Sequence, residues 1–304
     1  MENRWGCAGR GRLSVLLLDV TLPASGAALA REYGLKKVGG RPPLGKYLAQ
    51  IWERRYFAIN LAQGKAYARN QGSYLGQLWA VLTPLLWAVL YYCIFAIVLP
   101  RVSADIDNFA AFLVIGLFII RFLSGALSGG AGSIEKNSTL IASLQFPRAL
   151  IPISTSLADL LTFLPSLVVL MGVALFTGEP IRWQMLLLAP TVVLAYVFAT
   201  GVACISARLV SQVSDLKQLI PFINRALFYT SGVFFSVARY GDGWFGTAMT
   251  YQPFAVYLDL GRSALIAQYQ VNPVMWAWAL FWAVATCGVG FVYFWRAEAS
   301  YGRG

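Results

Sequence analysis

The chain contains no histidine. That absence removes the side chain most often used as a general base near neutral pH, and the commonest metal ligand. Cysteine is scarce: Cys7, Cys93, Cys204 and Cys287 are the whole set, none in a C-x-x-C spacing, and the last three fall inside apolar runs. This spacing argues against a zinc site or a disulfide framework, and apolar packing suits such thiols better. Charge is also thin. Only 12% of the 304 residues are charged, whereas 58% are hydrophobic. A soluble domain of this length cannot hide so much apolar surface, so the composition is that of a membrane protein. Acids are the scarcer sign, 13 against 24 Lys and Arg, for a net charge of +11. Twelve of those 24 cations lie in residues 1–74, with four acids among them. Clustered ahead of the first apolar run, they read as a cytoplasmic segment held against anionic lipid, not as a nucleic-acid face.

The apolar runs predict an all-α integral membrane protein with six spans: Leu75–Leu99, Phe109–Leu127, Leu150–Phe176, Met185–Val210, Leu219–Val237 and Val274–Trp295. Each is near the ~20 residues that cross a bilayer core. The second and fifth are the weakest, because they contain Arg121 and Arg225. Residues 13–30 resemble a signal-peptide core only faintly, since Asp19 interrupts the run and a basic segment follows, so no cleaved signal is expected. With the N-terminus inside, the inner segments hold eighteen Lys and Arg and the outer loops hold four: Arg101, Arg182, Arg239 and Arg262. That ratio predicts a protein of the cytoplasmic membrane with both termini in the cytoplasm.

Three stretches outside the spans carry information. In residues 44–59, Leu44, Tyr47, Leu48, Ile51 and Trp52 fall on one helical face, with Lys46, Gln50, Glu53 and Arg54 opposite. This predicts an amphipathic helix in the inner interface, anchored by Tyr47 and Trp52, in preference to a helix packed on a soluble domain. The loop 129–149 contains SIEKNSTLIASLQF, with apolar Ile134, Leu140, Ile141 and Leu144 before Pro147. A short helix reaching into the cytoplasm fits it; the pattern alone is equally that of a docking knob and of a plain connector. The apolar stretch PFAVYLDLGRSALIA, between the fifth and sixth spans, is ~22 Å long as a helix, which predicts short re-entrant or surface-lying outer helices.

The stretch GRPPLGKY, from Gly40 to Tyr47, has the G-x-x-x-x-G-K of a phosphate-binding loop. It fails as one. Tyr47 replaces the small hydroxyl residue that would hold Mg²⁺, Pro42 and Pro43 remove two backbone donors, and no apolar strand precedes it. The acidic pair Asp105 and Asp107 has the form of a glycosyltransferase metal site but falls in a short outer loop, where two solvated acids explain it better. Arg121 and Asp159 lie at similar depth within their spans, which predicts that they pair or face one polar cavity. Aromatics are dense at Trp87, Tyr91, Tyr92 and Phe95, and again at Phe228, Tyr229, Phe234 and Phe235. Such rings face lipid or core in most membrane proteins; the functional alternative is a lining along which sugar rings slide.

ARNQGSYLGQLWAVLTPLLWAVLYYCIF, at the approach to the first span, resembles ABC-2-type permeases that export polysaccharides. NSTLIASLQFPRALIPISTSLADLL, RLVSQVSDLKQLIPFINRALFYTSGVFFSV and YQPFAVYLDLGRSAL follow in that family's order, so the resemblance covers about residues 45–298. It implies a gate helix over 44–70 and an ABC-2 transmembrane domain over 71–304; residues 1–43 match nothing in that family and are expected to be a basic, disordered cytoplasmic tail. Tyr47, Leu48, Ile51, Trp52 and Arg55 would belong to the gate helix. Ile134, Glu135, Lys136, Leu140, Ile141 and Leu144 would form a coupling helix inserted into an ATPase subunit. Two copies of the chain would enclose a channel lined by the aromatics named above. ATP and Mg²⁺ would be bound by two copies of a separate P-loop ATPase, with no cofactor in this chain. The cargo implied is a lipid-linked polysaccharide, of the kind exported as galactan, O-antigen or teichoic acid, with actinobacterial galactan exporters closest. A permease for drugs or lipids, or a membrane glycosyltransferase, stands as the competing reading; the missing histidine weighs against the enzyme.

Overall fold

A computed structural model describes residues 42–69, 74–94, 106–236, 243–298 and 301. The described residues form helices and turns. Two helices open the chain, α1 (Leu44–Glu53) and α2 (Arg55–Ala68). After a 3₁₀ turn at Gly76–Leu78 comes α3 (Trp79–Cys93). The long helix α4 (Phe109–Ala131) is followed by two short pieces, α5 (Ser133–Lys136) and α6 (Ser138–Ser143). Then come α7 (Leu150–Phe176), a 3₁₀ turn at Trp183–Leu187 running into α8 (Leu188–Gln212), and α9 (Leu216–Thr230). The chain closes with α10 (Trp244–Tyr251), α11 (Pro253–Leu265) and α12 (Pro273–Arg296).

Four helical stretches among the described residues are long and apolar enough to cross a membrane: Phe109–Ala131, Leu150–Phe176, Trp183–Gln212 and Pro273–Arg296. This corrects the expectation of six. The first predicted span is represented by α3, whose 15 residues reach ~22 Å, short of the ~30 Å hydrocarbon core; the end of that prediction, from 95 on, lies outside the described residues. The fifth predicted span is α9, also 15 residues. It stops at Ser231 because Gly232 takes a left-handed φ of +76°, a conformation that ends helices and suits glycine. Val233 and Phe234 then turn into the core instead of continuing the helix.

The expected re-entrant outer helices are corrected too. α10 and α11 exist as short helices, but α11 is a core element. Eleven of its 13 residues are buried, and it packs against α4, α8 and α12. Tyr257 donates to the Ala279 carbonyl of α12 at 2.9 Å. The Arg262 guanidinium lies 3.4 Å from the Phe112 ring centroid and donates to the Val233 carbonyl. The continuous apolar run that suggested membrane insertion is explained by burial inside the protein.

α4 is the central helix. Its most apolar stretch is 72% buried, against 28% for α7 and 22% for α12, so α4 is enclosed by protein while the other two turn faces outward. It begins at Asn108, whose side chain accepts from Ala111 N, the N-cap pattern. Asn108 also donates to Glu179, and Glu179 accepts from Ala267 N at 2.7 Å, which ties together α4, the end of α7 and the end of α11. α8 and α12 run parallel and share the most extensive helix contact.

Candidate functional site

At the opposite end of α4, three distant parts of the chain meet around one buried acid. Tyr47 on α1 is 1% exposed and donates its hydroxyl to Glu298 at 2.6 Å. Glu298 follows α12, is 8% exposed, and accepts from Arg148 N at 2.9 Å with its second oxygen. The Tyr47 oxygen in turn accepts from Ala149 N at 3.1 Å. The Arg148 guanidinium donates to the Glu298 carbonyl, and Trp295 donates to the Pro42 carbonyl at 3.0 Å. The start of α1, the start of α7 and the end of α12 are thus clasped at one end of the bundle. Burial raises the Glu298 carboxyl above the usual carboxylate range, and the Tyr47 phenol upward as well. A raised acid contributes stability fully present below its unfolded value, lost as pH rises through the folded one. Tyr47→Phe leaves Glu298 and Ala149 N each short of a partner, at a cost of about 1–3 kcal/mol. Thermal unfolding in detergent should drop by several degrees for Tyr47→Phe, and Glu298→Gln should remove the acid's pH dependence.

The predicted gate-helix residues divide. Tyr47 is buried, and Ile51 is half-buried in the same cluster as Phe294 and Ala149. Leu48 and Trp52 are 51% and 70% exposed. Arg55 lies on the Trp52 and Tyr56 rings and donates to the Trp52 carbonyl. α2 then packs along α7: Phe57 on Phe146, Lys65 on Ser154 and Thr155, Arg69 on Asp159. Burial pulls the Lys65 ammonium down to about 8. The GKY of the near-miss phosphate loop is helical, within the first turn of α1, and its hydroxyl is engaged by Glu298. Among the described residues of that stretch, the G-K end is helix and not a phosphate-cradling loop.

The predicted coupling residues lie on α5 and α6, which break at Asn137 where its side chain donates to the Ser133 carbonyl. Ile141 is buried and Ile134 and Leu140 are half-buried, whereas Leu144 is 51% exposed. Glu135 pairs with Lys217 in the first turn of α9 at 2.6 Å, and that ammonium holds its carboxyl below the usual range. Lys136 lines a cavity of about 460 Å³.

That cavity contains both intramembrane charges, Arg121 and Asp159. The direct partner of Asp159 is Arg69, at 2.6 Å; no ion pair joins Asp159 to Arg121. Arg121 also lines a second cavity of about 350 Å³, with Trp87, Tyr91, Phe228 and Tyr229. Tyr91 contacts the rings of Trp87, Phe228 and Phe234. Tyr92 is half-exposed against Phe109, Phe235 packs on the core, and Phe95 lies outside the described residues. The sequence reading missed Glu298, Arg148, Lys65 and Arg69. The i, i+4 spacing of Lys65 and Arg69 was the available signal, opposite the hydroxyl-rich STSLAD of α7; nothing local marked Glu298.

A family model described as ABC-2 type transporter matches residues 59–266. An O-antigen export system permease protein, RfbA, of Myxococcus xanthus is 25% identical over 197 residues, covering 65% of this chain and 75% of that protein. Two proteins of the same description from Klebsiella pneumoniae are 28% and 27% identical over 188 residues, 62% of this chain and 71% of each.

Proposed function

This chain belongs to the ABC-2 type transporter family, and on that premise we propose that it is the membrane subunit of an ATP-driven exporter of lipid-linked polysaccharide. The observation that carries the reading is the concentration of parts at one end of the bundle. The start of α1, the start of α7 and the end of α12 meet there, Arg54 donates to the Gln145 carbonyl next to exposed Leu144, and one cavity is lined by both Lys136 of α5 and Arg121. A permease without its own nucleotide loop takes its power at such an end, from a separate P-loop ATPase that holds ATP and Mg²⁺. We place that end, with Pro42 and Glu298, in the cytoplasm, as the excess of Lys and Arg beside it favours. The O-antigen export permeases that resemble the chain support polysaccharide as cargo, and galactan is one polymer of that class.

Within this reading, residues 44–70 form the gate helix, α5 and α6 dock the ATPase, and residues 1–43 are a basic tail. Two copies assemble with their α3 and α9 helices facing each other. The outward apolar side chains Leu86, Val89 and Phe222, 55%, 60% and 73% exposed, suit a second copy or lipid, and the aromatics of α3 and α9 offer faces to sugar rings. Depletion of the chain in its own cell should accumulate lipid-linked glycan on the cytoplasmic side and reduce surface glycan at least tenfold, measured by protease-free extraction and glycan labelling. Unchanged surface glycan after depletion overturns the assignment.

A further inference from the structure

Arg121 is an anomaly in its own helix. α4 is buried on nearly every side, yet Arg121 is exposed, because it opens onto the two cavities described above. It lies ten residues from the end of α4, so about 15 Å inward. A cation at that depth is costly unless an anion or water-filled path accompanies it. Among the described residues no carboxylate pairs with it: Asp159 is taken by Arg69. The polar cavity therefore holds Arg69, Arg121 and Lys136 against one acid among the described residues, an excess of positive charge. Asp159 is 5% exposed, and its Oδ2, packed against Gly125 and Gly129 of α4, has no hydrogen-bond partner. On the other side of Arg121, the second cavity is walled by Trp87, Tyr91, Phe228 and Tyr229. The Asn224 amide donates to Ser128 at 2.7 Å, joining a residue of the aromatic cavity to one of the polar cavity.

The geometry points to a bipartite site in which Arg121 and Arg69 bind the phosphate group that links a glycan to its lipid, while the adjoining aromatic cavity takes the first sugar rings. The inference rests on the export function proposed above and names the part of the cargo this site reads. Guanidinium groups suit phosphate because their planar donors match its oxygens. Aromatic faces suit pyranose C–H surfaces. Asp159 plays a positioning part: it holds Arg69 at the cavity and competes with the ligand for it. The two cavities, about 460 and 350 Å³, are each of a size that holds a small polar group.

The charge logic gives a test in which two variants move in opposite directions. The purified chain in nanodiscs of neutral lipid is titrated with farnesyl diphosphate, farnesol and inorganic pyrophosphate, with binding read from tryptophan fluorescence, since Trp79 and Trp87 line the two cavities. Farnesyl diphosphate should bind saturably and farnesol at least tenfold more weakly. Arg121→Gln should weaken farnesyl diphosphate about tenfold, and Arg121→Lys less. Asp159→Asn should tighten it severalfold, because Arg69 is released from its carboxylate. A misfolded variant cannot bind more tightly, so the opposed signs separate the site from general damage. Equal binding of farnesol, or weakening by Asp159→Asn as large as that by Arg121→Gln, overturns the proposal. Pyrophosphate binding as tightly as farnesyl diphosphate overturns the glycolipid assignment by making this a free-anion site. Loss of the site with glycan still accumulating on depletion would remove this inference and leave the export function standing; normal surface glycan on depletion would remove the function itself.

Discussion

Gly201→Val is expected to leave no monodisperse protein in detergent. Gly201 lies on α8 where it crosses the backbone of α12. A Cβ at this position meets the Thr286 carbonyl carbon and oxygen and the Cys287 nitrogen, each closer than real Cβ contacts come. These are main-chain atoms, so no rotamer change relieves the clash. The reverse contact is as tight, since a Cβ at Gly290 meets the Gly201 carbonyl oxygen. The two helices must separate, and their contact is the most extensive in the fold. Overpacking of ordinary cores costs about 1–3 kcal/mol and sometimes more; a backbone-on-backbone clash in the largest interface belongs at or beyond the upper end. With domain stability of about 5–15 kcal/mol, that is enough to remove most folded protein. Size-exclusion chromatography with fluorescence detection reads the result directly. Gly172→Ala is the control, because nothing lies within 4 Å of a Cβ at that helical position and alanine favours helix over glycine. It should elute as the parent does. A Gly201→Val protein with the parent's profile and melting temperature would refute the packing described for α8 and α12.

Leu144→Asp is expected to separate folding from power. Leu144 is half-exposed at the end of α6, whereas Ile141, one turn earlier, is 7% exposed. An Asp at Leu144 meets solvent in the isolated chain and costs the fold little. At a docked interface it buries a charge without a partner, and central contacts of that kind are worth about 2 kcal/mol or more, a roughly thirtyfold change in affinity. ATP hydrolysis stimulated by the chain should fall by that order, with the melting temperature of the isolated chain unchanged. Ile141→Asp should instead lower the melting temperature, since that side chain is buried and an Asp there would be a charge without a partner. If Leu144→Asp leaves stimulated hydrolysis intact, the proposed docking place on α6 is wrong.

The four membrane-crossing stretches were legible because each is a continuous apolar run closed by local signals, such as Asn108 before α4 and Asn272 with Pro273 before α12. The fifth predicted span and the re-entrant outer helices failed for different reasons. Hydropathy cannot see that Gly232 reverses the backbone inside an apolar run, so α9 read as a longer element than it is. Nor can it tell lipid from protein as an apolar solvent, so buried α11 read as a membrane-facing segment. At the site, equal depth along two helices put Arg121 and Asp159 in one cavity but could not choose the partner of Asp159. Arg69 takes it from a third helix, α2, 90 residues earlier in the chain. Depth is a one-dimensional coordinate, whereas an ion pair needs azimuth as well. The aromatic cavity was legible as composition, since Trp87, Tyr91, Phe228 and Tyr229 stood out by density, but its junction with the charged cavity at Arg121 was not.

The Tyr47–Glu298 contact joins residues 251 positions apart, and this sets a timetable for biosynthesis. Tyr47 leaves the ribosome long before its acceptor exists. At about 5–20 residues per second, the interval is on the order of 13–50 s. Throughout it, α1 must wait unlatched while the later helices are made. Only synthesis through residue 298 supplies the carboxyl group that fixes it. A nascent chain halted just before Glu298 would therefore carry the four long apolar helices described above and still present Tyr47 without its acceptor.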